Sequence, residues 1–199
     1  MTVDPRLVAA VREQLARRPD GAARVGWKVG AGSGERIGVE PVAVGSLTTA
    51  TLLEPGATYR GGGGDLRADA EVAVEVGPDG AAVRYGVALE LCDLADRAAP
   101  EDVVAANVYH RAAVFGPLTD SVPEALEVVV NGETRGAAPV EEDPSVRLGQ
   151  VARVLAAVGE RLEDGDRVIT GSVVQVPIGR GDEVVADAGP LGRIGVVVA

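Results

Sequence analysis

Residues 67–76 read RADAEVAVEV. From Ala70 the apolar residues fall on every second position, the pattern of a strand with one buried face. Asp69, Glu71 and Glu75 occupy the other parity. Strand side chains alternate between faces, so Asp69 and Glu71 project from the same side, roughly 7 Å apart along the chain. Like charges at that spacing repel, and a strand that keeps them needs a reason. Glu90 lies in a second strand-like stretch, ALELCD, where Leu89 and Leu91 face the core and Glu90 the other way. Three carboxylates with little nitrogen or sulfur make a hard-oxygen set, suited to Mg²⁺, Mn²⁺ or Ca²⁺ and not to zinc. The pattern equally describes a solvated polar strand face.

Other residues with chemical potential are few. Lys28 is the single lysine of the chain, set in GWKVG between apolar neighbours. A lysine in such surroundings can lose its proton when burial lowers its pKa, which an arginine does not do; a surface lysine is the plainer alternative. His110 is the single histidine, and no G-x-S-x-G accompanies it, so the sequence offers no hydrolytic triad and His110 reads as structural or pocket-lining. Cys92 lies between the acidic Glu90 and Asp93, which raise a thiol pKa, and it reads as a small buried hydrophobe. GAGSG at 30–34 lacks the G-x-G-x-x-G spacing and any following G-K-[ST], and reads as a tight turn.

These groups need a scaffold. With 199 residues and 46% apolar content the chain suits one domain with an aliphatic core, since aromatics make up only 3%. A net charge of −11 without any polybasic run argues against a nucleic-acid binder. One cysteine excludes an intrachain disulfide and a multi-cysteine zinc site. The start is too charged for a secretory signal and no apolar run reaches membrane-spanning length, so the expectation is a cytoplasmic protein without membrane association. High Ala, Gly, Val and Arg is associated with GC-rich bacterial genomes.

Asp4-Pro5 predicts a helix start, with Leu7, Val8, Val11 and Leu15 at helical spacing and Pro19-Asp20-Gly21 as its end. Pro100-Glu101-Asp102 opens a short helix through about Asn107. Asn131-Gly132 between alternating arms predicts a hairpin. Asp143-Pro144 repeats the capping device before a helix with Leu148, Val151, Val154, Leu155, Val158 and Leu162 on one face. The Gly-Asp pairs at 165–166 and 181–182 mark turns that feed strands. The expected fold class is α+β, mostly β, with two or three helices.

In order along the chain, the motifs resemble the fumarylacetoacetate hydrolase superfamily, especially its 2-keto-4-pentenoate hydratase and 4-oxalocrotonate decarboxylase branch. GWKVGAGS is similar to the branch's G-[YW]-K-[IV]-G-x-x-S, and GVEPVAVGSLTTATLLEPG to the loop that follows it. DAEVAVEV resembles E-x-E-[IL]-A-F, ALELCD resembles A-x-E-[IL]-x-D, and AANVYHRAAVFG resembles the A-D-N segment that ends in a Gly. VVVNGETRG, the helix after Pro144 and GDRVITGSVVQVPIGRGDEVVADAGPLGRIGV complete a similarity over about 26–199.

The resemblance implies a mixed β-roll or sandwich with packed helices, residues 1–25 forming an N-terminal helix and connection and 26–199 the catalytic domain. It implies a divalent cation, Mg²⁺ or Mn²⁺, on Asp69, Glu71 and Glu90. Lys28 would serve proton transfer or bind a substrate oxygen, and Ser33, Asn107 and Ser172 would take polar pocket positions. The implied activity is that of a lyase, a hydratase or decarboxylase working on a small 2-keto or 2-hydroxy-dienoic acid through a metal-bound enolate, as in aromatic catabolism, and relatives commonly form homo-oligomers. The alternatives are a C–C hydrolase of acylpyruvate-like substrates, disfavoured because no His–Glu water-activating pair is evident, and a non-catalytic metabolite-binding or partner subunit. Three departures stand out: a shortened chain, Asp69 where the family has glutamate, and Ala106 for the acidic member of A-D-N, with Tyr109 and His110 replacing small residues.

Overall fold

Alternating Val and Ala fill the computed structural model with strands; it describes residues 3–30, 41–61, 64–95 and 99–199. A six-stranded sheet has the order β2 (Ala43–Thr48), β1 (Arg24–Gly30), β9 (Arg167–Pro177), β4 (Leu66–Val76), β5 (Ala82–Asp93), β6 (His110–Phe115). A five-stranded sheet has the order β3 (Thr58–Tyr59), β11 (Arg193–Val198), β10 (Glu183–Asp187), β7 (Ala125–Val130), β8 (Glu133–Pro139). Pairing is antiparallel except between β1 and β9 and between β3 and β11. Among the described residues three α-helices, α1 (Pro5–Ala16), α2 (Pro100–Ala105) and α3 (Val146–Val158), join the sheets in the mostly-β α+β fold expected. Among the described residues no helix is long and apolar enough to cross a membrane.

The local signals act as their chemistry requires. Asp4 caps α1 by accepting the Arg6 backbone N–H at 2.9 Å, with Pro5 in the first turn. Asn131 and Gly132, at φ 54° and 81°, turn β7 into β8, a pair of left-handed residues that matches strand twist. Asp143 differs from its expected role. Its carboxylate accepts the Ser145 N–H at 2.9 Å in a local turn, so α3 begins only at Val146, and Leu162 lies beyond the helix end.

The core lies between the two sheets. Val72, Val74, Val76, Val87, Leu89 and Leu91 of β4 and β5 join Leu126, Val128, Val184 and Val196 of the second sheet in one apolar cluster, which α1 and α3 extend through Leu7, Val11, Val151 and Leu155. The residues between them on β4 and β5 point the other way, where a small second cluster gathers Leu47, Ala73, Ala88, Ala113, Phe115 and Ile169. The six-stranded sheet is thus buried on both faces, and its second face carries the carboxylates.

Two irregularities set that face. Between Ala70 and Ala73 the partner strand β9 runs from Val174 to Ile169, so three steps on β4 meet five on β9. This bulge, with Gly171 at φ 105°, bends β9 and turns a backbone N–H toward β4. Gly26 permits the parallel β1–β9 pairing, because a Cβ there would lie 1.9 Å from the Arg167 carbonyl oxygen. Gly26→Ala is therefore expected to lower stability by more than about 2 kcal/mol, since backbone has to move. Gly149→Ala, on the exposed face of α3 with nothing near the new methyl, is expected to raise it by about 0.5–1 kcal/mol. Thermal denaturation of the two variants beside the parent tests both signs.

Candidate functional site

Antiparallel register places Asp69 of β4 directly across from Glu90 of β5. On the same face Glu71 flanks this rung at one end, and Cys92, across from Arg67, flanks it at the other. Lys28 enters from β1, beyond β9, where it pairs with Gly45 on β2 and Ile169 on β9. All are withdrawn from solvent, with exposures of 4% for Asp69, 1% for Glu71, 0% for Glu90, 2% for Cys92 and 3% for Lys28. The solvated polar face is excluded, and so is a surface position for Lys28.

The Lys28 Nζ lies 2.6 and 2.7 Å from the two Glu90 oxygens, and it donates to the Val108 carbonyl at 3.0 Å. Gly45 leaves the space it needs: a Cβ there would sit 2.6 Å from the lysine Cγ. The Val108 carbonyl is delivered by an unusual turn after α2, in which Asn107, Val108 and Tyr109 have φ of 66°, 52° and 65°. A β-branched residue in the left-handed region is strained, and the surroundings must hold it there. Asn107 supplies part of that hold. Its Oδ1 accepts the Ser46 N–H at 2.7 Å and its Nδ2 donates to the Ser46 carbonyl at 2.9 Å, bracketing β2.

Glu90 takes a second partner from the same turn. His110 Nδ1 is 2.6 Å from Glu90 Oε1, and Nε2 is 2.9 Å from Thr51 Oγ1. The structure therefore contains a His–Glu pair that the sequence did not make evident. The imidazole is fully buried with both nitrogens engaged, and it does not line the cavity beside the carboxylates. It orients Glu90 and has no free nitrogen to activate a water.

The electrostatics follow from this packing. Burial works against a charged Lys28, but Cys92, Glu90, Glu71 and the hydrogen bond to Glu90 more than offset it, so the lysine pKa is raised. The lowering expected from its sequence neighbours is reversed, because Trp27 and Val29 point into the main core while Lys28 points to the acids. Glu90 resists its own burial through Lys28 and His110 and is held down at about 2. Glu71 goes up through burial and the Glu90 charge, despite accepting the Gly171 N–H of the bulge at 2.7 Å. Asp69 is pushed up to about 7 by burial and Glu90, only partly relieved by Lys28 and by Gln175, whose Nε2 donates to Oδ2 at 3.1 Å. Burial and Glu90 push the Cys92 thiol up as well.

These residues fit a divalent cation. One ammonium faces three carboxyl groups, and burial with the Glu90 charge pushes two of them, Asp69 and Glu71, toward their protonated forms. The Asp69 Oδ1 is buried with no hydrogen-bond partner among the described residues. A cation that displaced those protons would satisfy both. Asp69, Glu90 and Cys92 each offer a ligand atom within 4.8 Å of the others.

Of the residues singled out in the sequence, Lys28, Asp69, Glu71, Glu90 and Ser172 line one cavity of about 50 Å³. Asn107 lies behind it, bracketing Ser46, and Ser33 is outside the described residues. The cavity also takes Cys92, Tyr109 and Gln175, which the sequence reading did not place there. Strand parity held the signal for two of them: Cys92 is two residues from Glu90, and Gln175 alternates with Val174 and Val176. Larger hollows, of about 360 Å³ beside β8 and β9 and about 540 Å³ beside β7 and the turn at Gly189–Leu191, hold no buried charged groups.

No protein-family profile matches the sequence, and no curated protein is similar to it. Solved structures share its fold. 4-Oxalocrotonate decarboxylase from Pseudomonas putida G7, complexed with magnesium and adipate, superposes with a TM-score of 0.81 at 21% identity, over 97% of this chain and 86% of that one. Fumarylpyruvate hydrolase from Pseudomonas aeruginosa, with Mn²⁺ and pyruvate, gives 0.62 at 18% identity over 92% and 93%. 5-Carboxymethyl-2-hydroxymuconate delta-isomerase from Mycobacterium smegmatis gives 0.59 at 18% over 89% and 78%. The architecture is thus the mostly-β α+β fold that these solved structures share.

Asp69 sets a pH dependence whose sign is fixed. Its pKa in the folded chain, about 7, lies above the ordinary 3.8. Its contribution to stability is full below pH 4 and is lost as pH rises to 7 and beyond, by about 4 kcal/mol at the limit. In chelator, Asp69→Asn is expected to match the parent near pH 4 and to exceed it increasingly toward pH 8. Urea titrations across that range check this, and a constant difference would refute it.

Proposed function

We propose that the chain is a divalent-metal-dependent enzyme of the fumarylacetoacetate hydrolase superfamily, a lyase that hydrates or decarboxylates a small 2-keto or 2-hydroxy-dienoic acid. One observation carries this reading: three buried carboxyl groups surround a single ammonium and leave a carboxylate oxygen without a partner, on a fold shared with 4-oxalocrotonate decarboxylase. A divalent cation such as Mg²⁺ or Mn²⁺, bound at the Asp69–Glu90 rung, would supply the Lewis acidity that stabilises enolate charge.

The chain's own residues do the rest. Lys28 is locked between Glu90 and the Val108 carbonyl, so its positive charge is preorganised beside the carboxylates with no reorganisation to make on binding. Its remaining N–H faces Cys92 at 3.9 Å, so the ammonium acts on a bound anion through its charge. Ser172, Gln175 and Tyr109 on the cavity wall supply hydroxyl and amide groups for a substrate carboxylate. The small cavity favours the chelating end of a short keto acid and has no room for a nucleotide cofactor. His110 argues against the hydrolase alternative, since its ring is buried and engaged on both sides. Ala106, where the family has an acid, lies in the left-handed turn's approach and removes one group that could position water, so decarboxylation is favoured over hydration.

Enolisation is the step common to the candidate reactions, and pyruvate is its smallest probe. In D₂O with Mg²⁺ or Mn²⁺, the protein is expected to catalyse exchange of the pyruvate methyl protons, seen by proton NMR. Asp69→Asn is expected to fold at least as well and to lose the exchange by about 100-fold or more. A parent protein that binds the metal yet leaves the methyl protons in place would sink the enolisation reading.

A further inference from the structure

The resemblance assigns the cation to three carboxylates, but the geometry of this chain distributes its donors differently. The Asp69–Glu90 rung has a neighbour at each end, Glu71 on β4 and Cys92 on β5. The Glu71 Oε2 is drawn away toward β9 by the Gly171 N–H at 2.7 Å. The Cys92 Sγ lies 3.8 Å from Asp69 Oδ2 and 3.9 Å from Lys28 Nζ, and it closes with Asp69 and Glu90 the set whose ligand atoms all fall within 4.8 Å. The second, independent sign is the Asp69 Oδ1, buried in a residue only 4% exposed and without a partner, on the wall of the same cavity as the thiol.

We propose that Cys92 is a direct ligand of the cation, completing a carboxylate–carboxylate–thiolate set with Asp69 and Glu90, and that the site therefore favours thiophilic divalent ions such as Co²⁺, Fe²⁺ or Zn²⁺ over Mg²⁺. This rests on the cation reading above and sharpens it. On binding, the Cys92 S–H bond breaks, its proton passes to solvent and the sulfur lone pair forms the bond to the metal; no oxidation state changes. Lys28 faces the sulfur and stabilises the negative charge that develops there. One sulfur among oxygens shifts selectivity toward softer ions, because Mg²⁺ gains little from a thiolate. Glu71 stays on the Gly171 N–H and contributes charge from the far end of the rung.

Cys92 is the only cysteine in the chain, so a single spectroscopic signal reports it. The chelator-stripped protein is titrated with Co²⁺ and followed by near-ultraviolet absorption for the sulfur-to-cobalt charge-transfer band, with calorimetry in parallel. The expected result is a band that saturates at the calorimetric stoichiometry, persists in Glu71→Gln and is absent in Cys92→Ser. The Cys92→Ser variant is also expected to lose its preference for Co²⁺ over Mg²⁺ by about tenfold or more. Calorimetric binding of Co²⁺ to the parent without the band overturns the thiolate ligand and leaves the carboxylate site standing. No binding of Co²⁺, Mn²⁺ or Mg²⁺ overturns both. The parent protein alone decides between these outcomes, whether or not a variant folds.

Discussion

A lysine ammonium buried against a glutamate is the interaction on which this architecture depends. Taking both charges out of water costs several kcal/mol each, and only close geometry repays it. Here the two Glu90 oxygens lie within 2.7 Å of Lys28, and His110 adds a third hydrogen bond. The features that look irregular elsewhere serve this contact. Gly45 vacates the volume that the lysine stem occupies. Asn107 bracketing Ser46 pins a left-handed turn that no local preference would favour, and that turn delivers both the Val108 carbonyl and the His110 ring. Removing either charge would strand the other in the sheet.

The pair also leaves a surplus. One ammonium cannot compensate three carboxyl groups and a thiol, so Asp69, Glu71 and Cys92 are all held toward their protonated forms. In energetic terms the cluster is strained electrostatically in a direction that a divalent cation relieves. The conflict sets stability against charge: a neutral residue at position 69 suits the packing better but gives up a carboxylate. Ala88 pairs with Glu71 and Ala113 with Glu90 across the sheet, so these strand neighbours bring no compensating charge.

Much of this was legible in the sequence, and the limits have physical causes. Parity alone placed Asp69 and Glu71 on one face and Val72, Val74 and Val76 on the other, because a strand has no freedom in that respect. The Asn131-Gly132 hairpin and the Asp4 cap were equally local. Lys28 misled because its neighbours in sequence face the opposite side of the sheet, while its neighbours in space come from β5 and the turn after α2. The His110–Glu90 pair depends on three consecutive positive φ values, and Glu71's tether depends on a bulge in a strand 100 residues away. Neither is written in a periodic pattern. Cys92 was in plain view two residues from Glu90, but adjacency to acids suggested only an unreactive thiol.

The surplus of carboxyl groups is expected to exchange protons for a divalent cation. Calorimetric titration with Mn²⁺ at pH 6, repeated in buffers of different ionisation enthalpy, counts the protons released on binding. Release of about one proton or more is expected, declining as pH rises through 7, where Asp69 is already losing its own. Binding with no proton release at pH 6 would contradict it, because the carboxyl groups would then have been charged and waiting from the start.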